Sequence, residues 1–461
     1  MHIDSLLERF AEAGESDAMV WRETAYSYRW LLDQIAYWTK ATAEAGLQPG
    51  AVVSLEADFT PAAVALLFAL IDHSSIVVPL TGSVETMKSE FRTIAEVECS
   101  IGIGADERAE YRFTGGIVRH PILLSLKNSQ QPGLIVFSSG STGKSKAAVH
   151  NFAPLLEKFK TRRHAKRTIT FLQFDHLGGL NTLLHTLSNG GCVVTLQSRT
   201  ADSVCASIER HKVQILPTSP TFLSLLLLSQ AYSRYDLSSL ELITYGTEVM
   251  PESTLQKLVE VLPGIRLQQT YGLSELGVMR SRSRANDSLW VEIGGEGFQT
   301  RVVDGLLEIK ARSVMLGYLN APTPLTEDGW FKTGDLVEVD GDYLRILGRA
   351  SELVNVGGEK VYPAEVESAL QSMDGVEEAM VTGEPNPISG QMVVAHVRLS
   401  TCESLSEFRK RMHAFLRQRL PRTKIPAKVL LTDRSLHSSR FKKLRHDVTS
   451  TLESKGIPEA R

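Results

Sequence analysis

The stretch Leu134–Lys146, LIVFSSGSTGKSK, decides how the chain is read. Its apolar start, Leu134 to Phe137, has the make-up of a buried strand. It runs into a loop of glycine and hydroxyl residues that closes on Lys144 and Lys146. Such a loop suits an oxyanion. Gly140 and Gly143 let backbone N–H groups approach without an intervening side chain, and Ser138, Ser139, Ser141 and Thr142 add hydroxyl donors. Either lysine would supply a point charge. A Walker A loop fits poorly, because it needs glycine where Ser138 stands. A flexible Ser/Gly loop without a ligand is the plainer alternative, but it predicts nothing about the flanking segments.

Upstream of the loop, helical and strand-like runs alternate. Ile3, Leu6, Leu7 and Phe10 share a helical face, and Ser27–Ala45 reads as an amphipathic helix. Ala51–Glu56 reads as a strand, Pro61–Ile71 as a helix and Ser75–Pro79 as a strand. This rhythm predicts an α/β fold with a largely parallel sheet. Nothing in residues 1–130 carries obvious chemistry.

Downstream, FLQFDHLGGLNTLLHTLSNGGCVVTL places Asp175 and His176 ahead of an apolar helix and the strand Cys192–Leu196. A histidine beside a helix start is more often a cap than a catalyst. VQILPTSPTFLSLLLL then reads as strand, turn and helix, and ELITYGTEVM and IRLQQTYGLSELG each put a strand before a glycine-containing polar turn. In α/β sheets such turns at strand ends bind ligands, which makes Gly246–Glu248 and Tyr271–Glu275 site candidates. Glu275 has the chemistry to hold Mg²⁺ against phosphate oxygens. Further on, Thr333, Gly334 and Asp335 form a tight turn with an acceptor-only carboxylate, suited to paired ribose hydroxyls. VEVDGDYLRIL is a hairpin with Asp-Gly at its turn.

After Arg349–Ser351 the texture changes to smaller mixed elements. Pro363–Leu370 starts a helix, Gln391–Leu399 is a strand, and Val429–Leu431 is a last strand. Ser406–Leu420 reads as a helix with Leu405, Phe408, Met412, Phe415, Leu416 and Leu420 inward. These features predict a large N-terminal α/β domain, 1–349, of mixed, largely parallel sheets, and a small mobile α+β domain, 350–461. The short joint suggests a hinge.

The 461 residues, 43% hydrophobic and 22% charged, describe a soluble protein with ample core. A net charge of −3 argues against nucleic acid or an anionic membrane as main partner. Cys99, Cys192, Cys205 and Cys402 have no paired spacing, so neither a metal nor a disulfide framework is expected. No apolar segment is long enough to span a bilayer. A cytoplasmic protein without integral membrane association is the expectation.

These motifs, in this order, resemble the acyl-adenylate-forming (AMP-binding) superfamily of acyl- and aryl-CoA synthetases, free-standing adenylation domains and luciferases. The likeness runs from about Ser27 to Arg445. It implies that SSGSTGKSK is the phosphate loop, with Lys146 at the family's lysine and Thr142 both catalytic and, with Glu275, a Mg²⁺ ligand. FDHLGGL is similar to the acyl-pocket motif, in which His176 would gate the carboxylate site. YGTE (Tyr245, Gly246, Thr247, Glu248) resembles the adenine-pocket strand. QTYGLSE resembles the signature loop, where Gln269, Thr270, Tyr271, Gly272, Leu273 and Ser274 would touch nucleotide and carboxylate. TGD resembles the ribose motif through Asp335, with Arg349 near the ribose. Ser351 would be the hinge, and Gly357 and Gly358 would line a thiol tunnel.

In the phosphate loop Ser145 replaces the family's usual proline and Ala147 its usual glycine, and two further departures matter more. Ser351 replaces an Asp or Lys at the hinge. The catalytic lysine normally follows a glycine, whereas SLHSSRFKKLRHD aligns Lys442 and Arg445 with Phe441 where the glycine belongs; Lys443 is the fallback.

The resemblance implies an ATP-dependent acid ligase that forms an acyl-adenylate with release of pyrophosphate. The acyl group would pass to CoA or a carrier protein's phosphopantetheine. An amide-forming ligase, or an amino-acid-activating domain with Asp175 on a substrate ammonium, shares the first step. A degenerate nucleotide-binding protein is the reading from another class. A pocket of His176, Leu177, Gly178, Thr218, Thr221, Tyr245 and Gly277 is mostly small or apolar and favours an uncharged aliphatic or aromatic acid.

Overall fold

A computed structural model describes residues 2–139, 144–295, 297–438 and 440–445. Two seven-stranded sheets form the framework among the described residues. In one, Gly133–Ser139, Ile76–Leu80, Val52–Glu56 and Cys99–Ile103 run parallel. Ser145–Asn151 and Ala109–Phe113 flank them antiparallel. In the other, Arg266–Gln269, Leu242–Tyr245, Ile215–Thr218, Arg167–Ile169, Cys192–Val194 and Asp17–Trp21 are parallel neighbours.

Helix Pro61–Asp72 is apolar on every side, so burial is its stable environment. It packs with helix Tyr28–Glu44 in a core that also takes Leu180, Leu183 and Leu187 of helix Leu177–Ser188. Local chemistry starts these helices. Ser27 Oγ accepts from Trp30 N, and Thr60 Oγ1 accepts from Ala63 N beside Pro61.

A third sheet, six-stranded and antiparallel, spans Arg280–Arg349. It departs from the parallel rhythm because neighbouring strands fold back on one another, two pairs of them through two-residue hairpins. At Asp304–Gly305 both turn residues are left-handed, which matches the twist of the flanking strands.

Beyond Arg349 a five-stranded sheet carries helices Pro363–Gln371 and Leu405–Leu416 and its own core of Val354, Val366, Leu370, Phe408, Met412 and Val429. One expectation fails here. Leu405 is 42% exposed, because the capping box of Ser404 and Glu407 starts the helix at Leu405 and turns that side chain away from the core. The helix also ends at Leu416 rather than Leu420. Strand Val376–Asn386, unread in the sequence, is the long partner of Gly390–Leu399.

Candidate active site

The glycine-containing turns stand at the carboxyl ends of parallel strands, where open α/β sheets place ligands. Strand Gly133–Ser139 returns as Ser145–Asn151, with Ser138 opposite Lys146. Gly140, Ser141, Thr142 and Gly143 lie outside the described residues, as does the Ser139 side chain. Around this hairpin the supports are plain. Asn320 accepts from Ala147 N and donates to Ser145 O. His150 Nε2 donates to Ser274 O at 2.6 Å, tying the hairpin to the signature loop. The Lys146 ammonium lies 5.4 Å from the Tyr318 ring centre.

Two of the turns interlock. Thr270 N donates to Tyr245 O at 2.7 Å, and a Cβ on Gly246 would stand 2.7 Å from Thr270 O. Only glycine allows that approach. Thr247 holds a left-handed φ of +72°, an uncommon conformation for a β-branched residue. Gly272 sits equally close, its would-be Cβ 2.9 Å from Gly277 O. Gln269 is buried, and its N–H donates to Ser283 Oγ.

Four carboxylates converge here. The Tyr271 hydroxyl donates to Asp335 Oδ2 at 2.5 Å, and Arg349 Nε meets Asp335 Oδ1 at 2.8 Å. Arg349 also donates to Thr333 O. Burial pushes the Asp335 carboxyl up, while Arg349 and Tyr271 oppose it. The Tyr318 hydroxyl donates to Glu275 Oε1 at 2.5 Å. Thr221 Oγ1 donates to Glu248, at 2.9 Å from Oε2. Thr81 Oγ1 donates to buried Asp175, which also pairs with Arg440. Burial raises the carboxyl pKa of Glu248 and of Asp175; nearby cations and these hydroxyls pull both back.

His176 is the helix cap. Its Nδ1 accepts from Gly178 N at 3.0 Å. Burial, with the Lys442 and Arg440 charges, pushes it down to about 3, so it is neutral at physiological pH. The glycines after Leu177 let that helix start press against the loop: a Cβ on Gly179 would stand 2.0 Å from Gln173 O.

The two candidate lysines part company. Lys443 Nζ is 2.6 Å from Glu367, which also takes Arg445. Lys442 is partly buried, and burial lowers its pKa against the opposing pull of Glu248 and Glu275. Phe441 holds φ at +54°, so the position is left-handed.

Tyr245 and Thr218 are buried at the ends of their strands. A cleft lined by Thr221, Ser224 and Glu248 on one side and Gln371, Glu378 and Lys443 on the other runs between the small sheet and the rest. Ser351, Gly357 and Gly358 are exposed and away from these contacts, with nothing within 4 Å of a Cβ on either glycine.

The sequence reading missed Tyr318, Arg440, Thr81 and Ser83. Tyr318 follows Gly317 in MLGYLN with no local pattern to mark it. Thr81 and Ser83 fall in the stretch read as free of chemistry, yet both reach the site: Ser83 Oγ accepts from Arg440 at 3.1 Å. Their only signal is chain folding.

Residues 96–319 match the family described as AMP-binding enzyme, and residues 365–443 the AMP-binding enzyme C-terminal domain. The chain is 28% identical over 357 residues to indoleacetate–CoA ligase of Aromatoleum aromaticum, covering 72% of this chain and 69% of that protein. It is 26% identical over 469 residues to a feruloyl-CoA synthase of Amycolatopsis sp, covering 92% and 94%. The fold also matches that of an anthranilate CoA ligase solved with anthranoyl-AMP, with a TM-score of 0.81 at 19% identity over 98% of each chain. With both family models matched in order, over 96–319 and 365–443, the chain belongs to the AMP-binding enzymes.

Proposed function

We propose that this chain is an ATP-dependent carboxylic acid ligase. It forms an acyl-adenylate from its acid and ATP, releases pyrophosphate, and passes the acyl group to a thiol. The observation that carries the reading is the cluster in which Asp335 pairs with Arg349 and Tyr271 near Glu275, with Lys442 among the charges close to Glu275 and Arg349.

The acid arrives ionised at neutral pH, so attack on the α-phosphorus needs no general base. The work is positioning and charge neutralisation. Ser138 and Lys146, with the loop between them, would hold the departing phosphates. Asp335 and Arg349 would orient the ribose, and the Gly246–Glu248 and Gln269–Ser274 turns would enclose the base and the carboxylate. Lys442 would bridge the substrate carboxylate and the α-phosphate. Neutral His176 would shape the carboxylate site without adding charge. Glu275 fits Mg²⁺, a hard cation that takes one or two carboxylates plus substrate phosphates; bound there, it would neutralise phosphate charge.

Residues 1–349 would serve as the adenylation domain and 350–461 as a lid that turns about Ser351. The turn would bring Gly357 and Gly358 to the thiol, of CoA or of a carrier protein's phosphopantetheine. The relatives' named substrates make aromatic acids the first candidates, in keeping with the mostly small or apolar residues expected to line the pocket.

Mass spectrometry after incubation with ATP, Mg²⁺ and benzoate, ferulate, indole-3-acetate or decanoate tests this, with CoA in one arm and amino acids in the other. Acyl-CoA with AMP is expected. An acyl-amide in the second arm and no thioester in the first moves the chain to the amide-forming ligases. ATP binding without pyrophosphate release for any acid overturns the ligase reading.

A further inference from the structure

We infer that Arg440 and Phe441 are positioning residues: they dock the loop carrying Lys442 onto the larger part of the chain and so favour the first half-reaction. The inference rests on the ligase reading above. Arg440 spans two partners, Ser83 Oγ at 3.1 Å and Asp175 Oδ2 at 2.5 Å. Asp175 is 5% exposed and is itself fixed by Thr81 Oγ1 at 3.0 Å. One residue further, the Phe441 ring sits against Phe171 and Phe222, with centres 5.2 and 5.8 Å away. His437 stacks on it at 5.5 Å. Ser219 Oγ donates to Phe441 O at 3.3 Å.

The backbone argues that this docking has a purpose. Phe441 is held left-handed at φ +54°, where glycine would sit without strain and a bulky residue does not. Strain of that kind persists only where the surroundings over-determine it. Here they do: the ring is fixed by aromatic neighbours, and the residue before it by its ion pair with buried Asp175. Both anchors immediately precede Lys442, so together they set where its ammonium points. Turning the lid for thiol transfer must withdraw the ring and break the Arg440–Asp175 pair. The anchors therefore hold the adenylate-forming arrangement at the expense of the second step.

The test uses the full chain and the variants Arg440→Gln, Asp175→Asn, their double, Phe441→Gly and Phe441→Leu. Hydrogen–deuterium exchange at amides 440–445 reads docking without any acid. Pyrophosphate exchange with benzoate, ferulate or indole-3-acetate reads the first step, and CoA added to a synthetic acyl-adenylate reads the second. Arg440→Gln and Asp175→Asn should each speed amide exchange and slow pyrophosphate exchange about 10–100-fold. The double should be no worse than either, because they share one interaction. Phe441→Gly should lose as much although it relieves the backbone, and Phe441→Leu should recover part. Thiol capture of supplied adenylate should stay unchanged or rise.

Phe441→Gly with wild-type protection and pyrophosphate exchange overturns the proposal, and so do additive losses at Arg440 and Asp175. If the wild type exchanges pyrophosphate with none of the acids, the ligase reading is at fault, and amide exchange still decides the docking. Should Asp175→Asn fail to fold, the partly exposed Arg440→Gln carries the test.

Discussion

Lys442 and Lys443 are neighbours with opposite surroundings, so replacing each by glutamine separates two roles. Lys443 belongs to a structural cluster. Glu367 is 1% exposed and receives Lys443 at 2.6 Å, Arg445 at 2.5 Å and Val381 N at 2.8 Å. Burial pushes the Glu367 carboxyl up, but Arg445 and then Lys443 outweigh it and bring it down to about 2 from an ordinary 4.5. At ~1.36 kcal/mol per pH unit this amounts to about 3 kcal/mol, with Arg445 the larger contributor. Lys443→Gln should therefore cost about 1 kcal/mol, since Arg445 still compensates the buried charge. The carboxyl is depressed in the fold, so the stabilisation is complete above about pH 5 and is lost as the pH falls through 4.5 toward 2. Lys442→Gln should leave stability within ~0.5 kcal/mol of wild type. It should slow adenylation by ~10²–10³, the effect of removing a donor aimed at transition-state charge. Urea unfolding at pH 7 and pH 4, with pyrophosphate exchange on the same samples, measures both. A Lys443→Gln chain of native stability that no longer adenylates, beside an active Lys442→Gln, would refute the assignment.

Gly246→Ala drives a Cβ to 2.7 Å from Thr270 O, so the two turns must separate; a loss of ~1–3 kcal/mol in ATP binding by calorimetry is expected, and unchanged affinity would show that the turns do not enclose the nucleotide. Asp335→Asn should weaken ATP by ~1.5–3 kcal/mol but weaken 2′-deoxy-ATP less, because the lost charge-assisted bond is to a ribose hydroxyl; equal losses on both nucleotides count against a ribose role. Ser351→Pro fixes φ in the short turn Ala350–Glu352 and should spare pyrophosphate exchange while cutting thioester formation severalfold. Full thioester formation by that variant would remove Ser351 from the hinge.

Features set by nearby residues were legible. The helix starts at Ser27, Thr60 and His176 follow from caps and periodicity, and the turns at Gly246 and Gly272 follow from a strand meeting glycine. Asp335 and Glu275 were legible because their motifs are contiguous. What was not legible depends on distant partners. Strand Arg167–Ile169 lies between Cys192–Val194 and Ile215–Thr218, an order no local pattern encodes. Thr81 and Ser83 look like loop residues until the fold carries them to Asp175 and Arg440. Phe441 read as a departure from a glycine pattern; its positive φ is one that glycine adopts without strain, and its ring packs on aromatic neighbours that no local pattern marks.

The electrostatic design of the site has one recurring device. Each of the four carboxylates accepts a hydroxyl: Asp175 from Thr81, Glu248 from Thr221, Glu275 from Tyr318 and Asp335 from Tyr271. A hydroxyl steadies a buried carboxylate without bringing charge, so it consumes no cation. Arg440 and Arg349 are committed to Asp175 and Asp335. Burial disfavours the Lys442 charge, and so do the nearby Arg440 and Arg349 guanidinium groups, while Glu248 and Glu275 favour it. Neutral His176 adds nothing to the balance. An ammonium held in that way gains most from an incoming anion, and a carboxylate beside an α-phosphate is the most anionic partner the reaction offers. The protein therefore need not move charge onto Lys442 during the first step; it needs only to keep the hydroxyls on the carboxylates and the loop on its anchors.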